Sequence, residues 1–444
     1  MKRKRKITVL FLLFLTGQAT GQDIGLSLSD AIQQGLKNNL GIRNAGIEIQ
    51  KSQSQMKEQQ SGLYPQVEGF SDFYYYYALP KMIVPGEIFG QAGDIPVEFG
   101  TRYDWSSGFR ATQVLFNQSY FTSLKIARQR TEFKELDLRQ KKEELVYQIS
   151  QVYYLCQATK QQKVHLSGTQ KNMLELLRLT KLMRQNGIIL KADHDQVLVD
   201  QNNLQTEIDN LSQLYEQQVN LLKYLMGVNP NSTIELTDSL MIPAADGKQS
   251  MPAWESSIEM RKLNIQLEMT RLSLRKDKQA YLPTISGFSQ YYYQGQRDRF
   301  DFFDGGSNRF FKVGFVGMSL AIPIFDGFEK RSRIQQEKLS LLQLQNSHSD
   351  LLNFLYKEHK NARLQYQNNL AAAIRQAENI RVAEENYKVA LLGYQQQITP
   401  LSDLLRAQNS LTEARLSYDN ALLQLKNAEL ELMKSRGELL NEMI

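Results

Sequence analysis

The 444-residue sequence predicts a mainly α protein with a small β part, built as one unit repeated twice. Helical periodicity runs much longer than a globular domain uses, and a short strand-forming block recurs between helices. The recurrence is concrete. Leu63-Tyr64-Pro65-Gln66-Val67-Glu68-Gly69-Phe70-Ser71 returns as Tyr281-Leu282-Pro283-Thr284-Ile285-Ser286-Gly287-Phe288-Ser289, and both copies lead into tyrosines, Tyr74 to Tyr77 and Tyr291 to Tyr293.

Ahead of the first unit, Lys2 to Lys6 form a basic patch, Ile7 to Leu15 a short apolar run, and Ala19-Thr20-Gly21 a small-residue site. This reads as a cleavable secretory signal over 1–21, and its apolar run falls short of the roughly 20 residues that cross a bilayer as helix. Five of the 53 basic residues lie in positions 2–6, which leaves 48 against 47 acids after cleavage. A near-neutral mature chain lacks the basic face that nucleic acid requires, so no nucleic acid is expected as a partner. The single cysteine, Cys156, excludes an intramolecular disulfide and a cysteine-rich metal site. Its place deep in a helical pattern also excludes a lipid anchor on an amino-terminal cysteine.

The first unit, 22–228, opens with a helix from about Leu28 to Ser61, with Ser29 as its N-cap and Pro65 beyond its end. Strands follow at about 65–77 and 102–116. On the second, Trp105, Phe109, Ala111 and Leu115 share one face, and Asp104, Ser106, Gly108, Arg110 and Thr112 the other. A helix then runs from about Ser119 to Asn186, with Leu145, Ile149, Val152 and Cys156 spaced by four, three and four. At about 1.5 Å per residue it reaches on the order of 100 Å. A hairpin turn at about 187–192 leads into a further helix.

The segment 229–253, interrupted by Pro230, Pro243 and Pro252, links to the second unit, 254–444. There the strands are expected at about 284–293 and 310–325 and the hairpin turn at about 396–401. Val114-Leu115-Phe116-Asn117 answers to Pro323-Ile324-Phe325-Asp326. The turns match at an offset of 210 and Gln201-Asn202-Asn203-Leu204 matches Gln408-Asn409-Ser410-Leu411 at 207, which reads as a local insertion of nearly one helical turn. In the last helix Leu404, Leu411, Tyr418, Leu425 and Leu432 recur every seven residues, with Ala407, Ala414, Ala421 and Ala428 between them. Large residues interleaved with alanine let supercoiled helices approach closely. Gln408, Arg415 and Lys426 take outer positions.

No apolar run of transmembrane-helix length follows the signal, so membrane entry requires strands closed into a barrel. The alternation on 102–116 and the tyrosine runs, as an aromatic girdle, suit this. The first strand alternates poorly, the fourth carries apolar residues on both faces, and the strands alone fit a soluble four-stranded subdomain equally well. Four strands cannot close a barrel, and the smallest have about eight. Two or three copies must therefore share one, and counting does not choose between them. Ala78 to Thr101 reads as an external solvated loop, with Gln294 to Arg309, including Gly305-Gly306-Ser307, as its counterpart.

Several segments together resemble the TolC-like outer-membrane efflux family, over nearly the whole mature chain. They are Leu28-Ser29-Asp30-Ala31-Ile32-Gln33-Gln34-Gly35-Leu36-Lys37-Asn38-Asn39, the paired Tyr/Leu-Pro segments, Ile322-Pro323-Ile324-Phe325-Asp326-Gly327, and Ser402-Asp403-Leu404-Leu405-Arg406-Ala407-Gln408-Asn409-Ser410-Leu411. The resemblance implies a homotrimer, with one twelve-stranded outer-membrane β-barrel continued by a periplasmic α-helical barrel. It further implies outer-membrane lipid around the barrel, a periplasmic adaptor (membrane fusion) protein and an inner-membrane pump of the RND or ABC type. The implied function is efflux of small molecules (drugs, toxic compounds, metals); a type I protein-secretion channel and a non-channel exported coiled-coil scaffold are the alternatives.

In that family the hairpin turns form the periplasmic entrance, with a glycine at the turn and an acid after it. Gly187, Ile188 and Asp193 match; in the second turn Gln397 stands where glycine is expected, before Ile398 and Asp403. The resemblance makes Gly187, Ile188, Gln397 and Ile398 adaptor-docking positions. It makes Asp403, Asp193 and Asp195 gate candidates whose threefold rings of charge would select cations. The same acids also suit the first turn of the following helix. No catalytic motif, cofactor or metal set is expected: His165, His194, His348 and His359 are scattered, and no nucleophile elbow occurs.

Overall fold

Ser27 starts the first helix. Its hydroxyl accepts from the Asp30 amide at 3.2 Å, and the Asp30 carboxylate accepts from the Ser27 amide at 3.3 Å, a reciprocal capping box. The cap is Ser27 rather than Ser29 because only Ser27 has an acid three residues on; Ser29 has Ile32. The computed structural model describes residues 24–243, 254–304 and 310–443. The signal segment, Pro252 and Gly305-Gly306-Ser307 lie outside them.

The elements in chain order are β1 (Ile24–Leu26), α1 (Leu28–Asn38), α2 (Leu40–Ser61), β2 (Gln66–Tyr75), β3 (Lys81–Pro85), β4 (Asp94–Glu98) and β5 (Tyr103–Phe116). Then come α3 (Gln118–Gln185), α4 (Lys191–Met226), β6 (Ile234–Leu236), α5 (Ile258–Gln279), β7 (Thr284–Arg297) and β8 (Phe310–Ala321). The last are α6 (Glu329–Gln395), α7 (Leu401–Arg436) and α8 (Leu439–Met443). The strand ahead of Pro323 stops at Ala321, since proline donates no ladder hydrogen bond.

The chain forms two compact units, one of residues 44–140 and 253–355, the other of 1–43, 141–252 and 356–444. The first holds a four-stranded antiparallel sheet in the order β2-β5-β7-β8, with Phe73 opposite Trp105, Trp105 opposite Gly295 and Gly295 opposite Phe310. A bulge between Val114 and Phe116 ends the regular ladder. Its helices lock through Ser119 Oγ donating to the Lys276 carbonyl at 2.8 Å, and through Lys262 meeting Asp137 at 2.6 Å. The stretch read as an irregular external loop carries a second hairpin, β3 with β4. Met82 faces Val97 and Val84 faces Ile95 on one side of it, and Lys81 pairs with Glu98 at 3.5 Å on the other.

In the second unit β1 pairs with β6 in parallel. These three-residue strands are too short to leave a periodic signal in the sequence. Asp238 joins them to the helices: it accepts from the Leu28 amide at 2.8 Å and from the Tyr153 hydroxyl at 2.9 Å. Tyr153 is fully buried, which pushes its pKa up. The opening helix is two helices because of Asn39. Its side-chain oxygen accepts from the amides of Gly41 and Ile42, which caps α2, and its nitrogen donates to the Leu225 carbonyl at 2.9 Å.

The heptad leucines of α7 are buried, as are Leu405, Leu422 and Leu430 beside them. Gln408 is no outer position: it is 5% exposed. The reason is packing on more than one helix, since α7 meets α3 and α4 through Met173, Val197 and Leu405, and α6 through Ala373, Leu422 and Leu425. A two-helix coil would bury a narrower stripe. Nor is there an insertion between the hairpins. α4 and α7 each have 36 residues and end at left-handed Gly227 and Gly437. The match at 207 is a register slip of three residues, which a repetitive helical pattern permits.

Cys156 is fully buried and its thiol is pushed up to about 12 by burial. Only the thiolate is nucleophilic. Iodoacetamide at pH 8 therefore leaves Cys156 unmodified in the folded protein and alkylates it fully in denaturant, read by intact mass.

Candidate functional site

Two places carry the residues of interest, the faces of the sheet in one unit and the helical hairpin turns in the other. Cross-strand pairing sorts the strand residues. Glu68, Asp72, Asp104 and Arg110 all fall on one face, as do Gln290, Gln294 and Gln296. There the Arg110 guanidinium meets the Glu68 carboxylate at 2.6 Å, and Gln294 donates to Asp104 at 2.8 Å. The opposite face carries Trp105, Phe109, Tyr291, Tyr293, Val316 and Met318. Its two strand cations sit at the loop end, Arg297 buried and stacked 4.6 Å over Phe302, and Lys312 beside Tyr293.

Exposure alternates with the pleat. Phe288, Gln290 and Tyr292 on the charged face are half-buried, while Ser289, Tyr291 and Tyr293 on the apolar face are exposed. The charged face of β7 is thus the more sheltered of the two over these residues.

In the hairpins, α3 ends at Gly187 with φ 70°, and the Ile188 amide donates to the Met183 carbonyl at 2.9 Å. α6 ends at Gln397 with φ 61°, and the Ile398 amide donates to the Gly393 carbonyl at 2.8 Å. Both are left-handed helix ends of the Schellman kind. Glutamine thus takes the conformation for which glycine was expected, at the steric cost a Cβ brings there. Ile188 is 54% and Ile398 75% exposed.

The two acids differ in their partners. Asp193 accepts from the backbone amide of Leu190 at 3.2 Å, the N-cap of α4. The corresponding N-cap of α7 is Pro400, which has no N–H. Asp403 is left half-exposed with Arg406, one turn on, at 3.3 Å. Asp195 reaches Arg184 across the first turn at 4.0 Å. His194 turns to Thr180 at 3.2 Å, and no group of side chains suited to a metal ion occurs among the described residues. Tyr394 is buried near the second turn, 3.8 Å from the Met183 sulfur, and burial followed by the charge of Asp193 raises its pKa.

A family model described as outer membrane efflux protein matches residues 31–228 and 252–438. The chain belongs to that family. No curated protein matches the sequence. Among solved structures it is similar to CusC, described for transmembrane channel formation, at 17% identity and a TM-score of 0.75 over 93% of this chain and 92% of that one. It is similar to the outer membrane protein VceC of Vibrio cholerae at 14% identity and 0.74, over 92% and 96%. The CmeC outer membrane channel of Campylobacter jejuni gives 17% and 0.73, over 93% and 85%. At these identities the likeness is one of fold.

For this efflux-family chain, Asp193 and Asp403 were equivalent in sequence, and the partner that separates them is one residue type, Pro400. That signal was readable, because a proline N-cap cannot donate. The Asn39 break and the buried Gln408 were not, since each depends on a helix distant in sequence. The left-handed turns give a pair of opposite expectations: Gly187→Ala destabilises the fold by about 1 kcal/mol, while Gln397→Gly stabilises it by about 0.5 kcal/mol. Thermal unfolding followed by circular dichroism measures both.

Proposed function

We propose that the chain is the outer-membrane channel of a tripartite efflux system, three copies of which close one barrel from four strands each. The observation that carries this is the division of charge on the sheet. Acids and glutamines line one face, and the middle of the other has no charge, as a wall between water and lipid requires. The strands of 10 to 14 residues are long enough for the 9–11 that cross a bilayer when tilted. Two or three copies satisfy the strand arithmetic, and the family resemblance favours three. The duplicated unit, 22–228 and 254–444, follows from the same resemblance and from the equal lengths of α4 and α7.

The hairpin turns are then the periplasmic entrance. Gly187 and Gln397 set the turns, and the exposed Ile188 and Ile398 are the apolar contacts for a periplasmic adaptor that connects to an inner-membrane pump. Of the acids, Asp403 is the gate residue and Asp193 the cap. A cap is held by its helix, whereas Asp403 lacks a backbone donor at Pro400 and has only an exposed arginine to hold it. Three copies of Asp403 make a ring of negative charge that attracts cations. Small-molecule efflux fits better than a scaffold because a scaffold has no use for an apolar face of Phe109, Val316 and Met318 exposed to solvent.

The mature protein extracts with the outer membrane, requires detergent, and runs as a trimer by mass photometry. In planar bilayers Asp403→Ala lowers the preference for potassium over chloride severalfold. Asp193→Ala instead lowers thermal stability by about 1 kcal/mol and leaves selectivity near the wild-type value. An Asp403→Ala channel with unchanged selectivity would reject the gate assignment.

A further inference from the structure

The charged face of the sheet is not only polar. Phe70 and Tyr292 flank Gly108 from the strands on either side, and their rings meet at 5.8 Å across it. A Cβ at Gly108 would lie 2.4 Å from the Tyr292 Cα, so the glycine leaves the strands closely apposed beneath the two rings. Four residues along β7, Phe288 lies over Gly317, where a Cβ would meet its ring at 2.6 Å, and stacks with Phe315 at 6.2 Å. At about 3.3 Å per residue, the two aromatic steps are spaced roughly 13 Å along the wall. Each consists of half-buried rings laid against a glycine.

The strand charges on this face of the sheet have one sign in excess. Glu68, Asp72 and Asp104 face Arg110 alone among the strand charges of that face. Arg110 already shows what such a ring accepts, because its guanidinium lies 4.9 Å over the Phe70 ring while pairing with Glu68. Tyr292 and Phe288 have no cation stacked on them among the contacts described. A ring face with a carboxylate nearby attracts a cation through both quadrupole and charge, and a flat aromatic solute adds ring stacking.

We propose that Tyr292 and Phe288, with Phe70 and Phe315, form a stepped binding path on the barrel wall for organic cations that carry an aromatic ring. This rests on the reading that the charged face lines a pore. The path is a site distinct from the hairpin turns. It distinguishes solutes by ring as well as charge: a small inorganic cation gains from the acids, but an aromatic cation gains from both.

The test uses the full purified channel in planar bilayers with tetraphenylphosphonium as probe, which interrupts the potassium current while it is bound. In the Phe288→Leu/Tyr292→Leu double variant, which keeps apolar bulk and removes the rings, the residence time falls about tenfold with potassium conductance unchanged. Single Tyr292→Leu gives an intermediate value. Tetraethylammonium, of equal charge without rings, dwells equally briefly in both proteins. Equal residence of tetraphenylphosphonium in wild type and either variant overturns the path while leaving the pore intact, and so does equal residence of the two probes in wild type. Absence of any potassium current through the wild-type protein removes the pore itself, and the path with it.

Discussion

Unpaired backbone groups along two strand edges constrain everything else in this molecule. Among the described residues β2 pairs only with β5, and β8 only with β7. The outer edge of each presents a row of N–H and C=O groups. In hydrocarbon an unsatisfied group of this kind costs several kcal/mol, and in water a long apolar edge invites uncontrolled pairing. The apolar face of the same sheet, with Val316, Met318 and Leu320 exposed, compounds both liabilities. In the channel proposed above, closure with identical neighbours removes the edges and lets lipid take the apolar face.

The helical part meets a different demand. A helix packed on several neighbours needs a wide buried arc, and α7 supplies it with Leu405, Gln408, Leu422 and Leu430 added to the heptad leucines. Where a polar side chain falls in that arc it takes a partner on the packed helix or within its own: Thr169 sits 3.3 Å from Thr412, and Gln408 3.5 Å from Thr412. At the turns the two hairpins look alike in backbone and differ in what their acids hold. One carboxylate completes the start of its helix; the other, behind a proline, has only an exposed arginine. The two turns thus share a backbone form, and the residue at the N-cap, Leu190 or Pro400, separates the roles of their acids.

Much of this was legible in advance. The two strand pairs, the long helices and both turns stand out because their periods persist over many residues. The polarity of the second strand, Asp104 and Arg110 on one side and Trp105 and Phe109 on the other, was also plain. Other features were hidden. β1 and β6 are three residues each, the helix break at Asn39 requires the Leu225 carbonyl, and the hairpin of β3 and β4 lies in a segment rich in glycine and proline. The aromatic steps were hidden too, since Phe70 and Tyr292 become neighbours only through the register of β2, β5 and β7.

By itself the sequence determined the long helices, the four long strands, the hairpin turns and the resemblance to the family, because propensity and periodicity are local and a repeated pattern reinforces them. Tertiary structure alone decided where the opening helix breaks, that Gln408 is buried, and which rings adjoin which charges. Those outcomes depend on distances between segments up to two hundred residues apart. Such distances are set by strand register and helix packing, which no local pattern encodes.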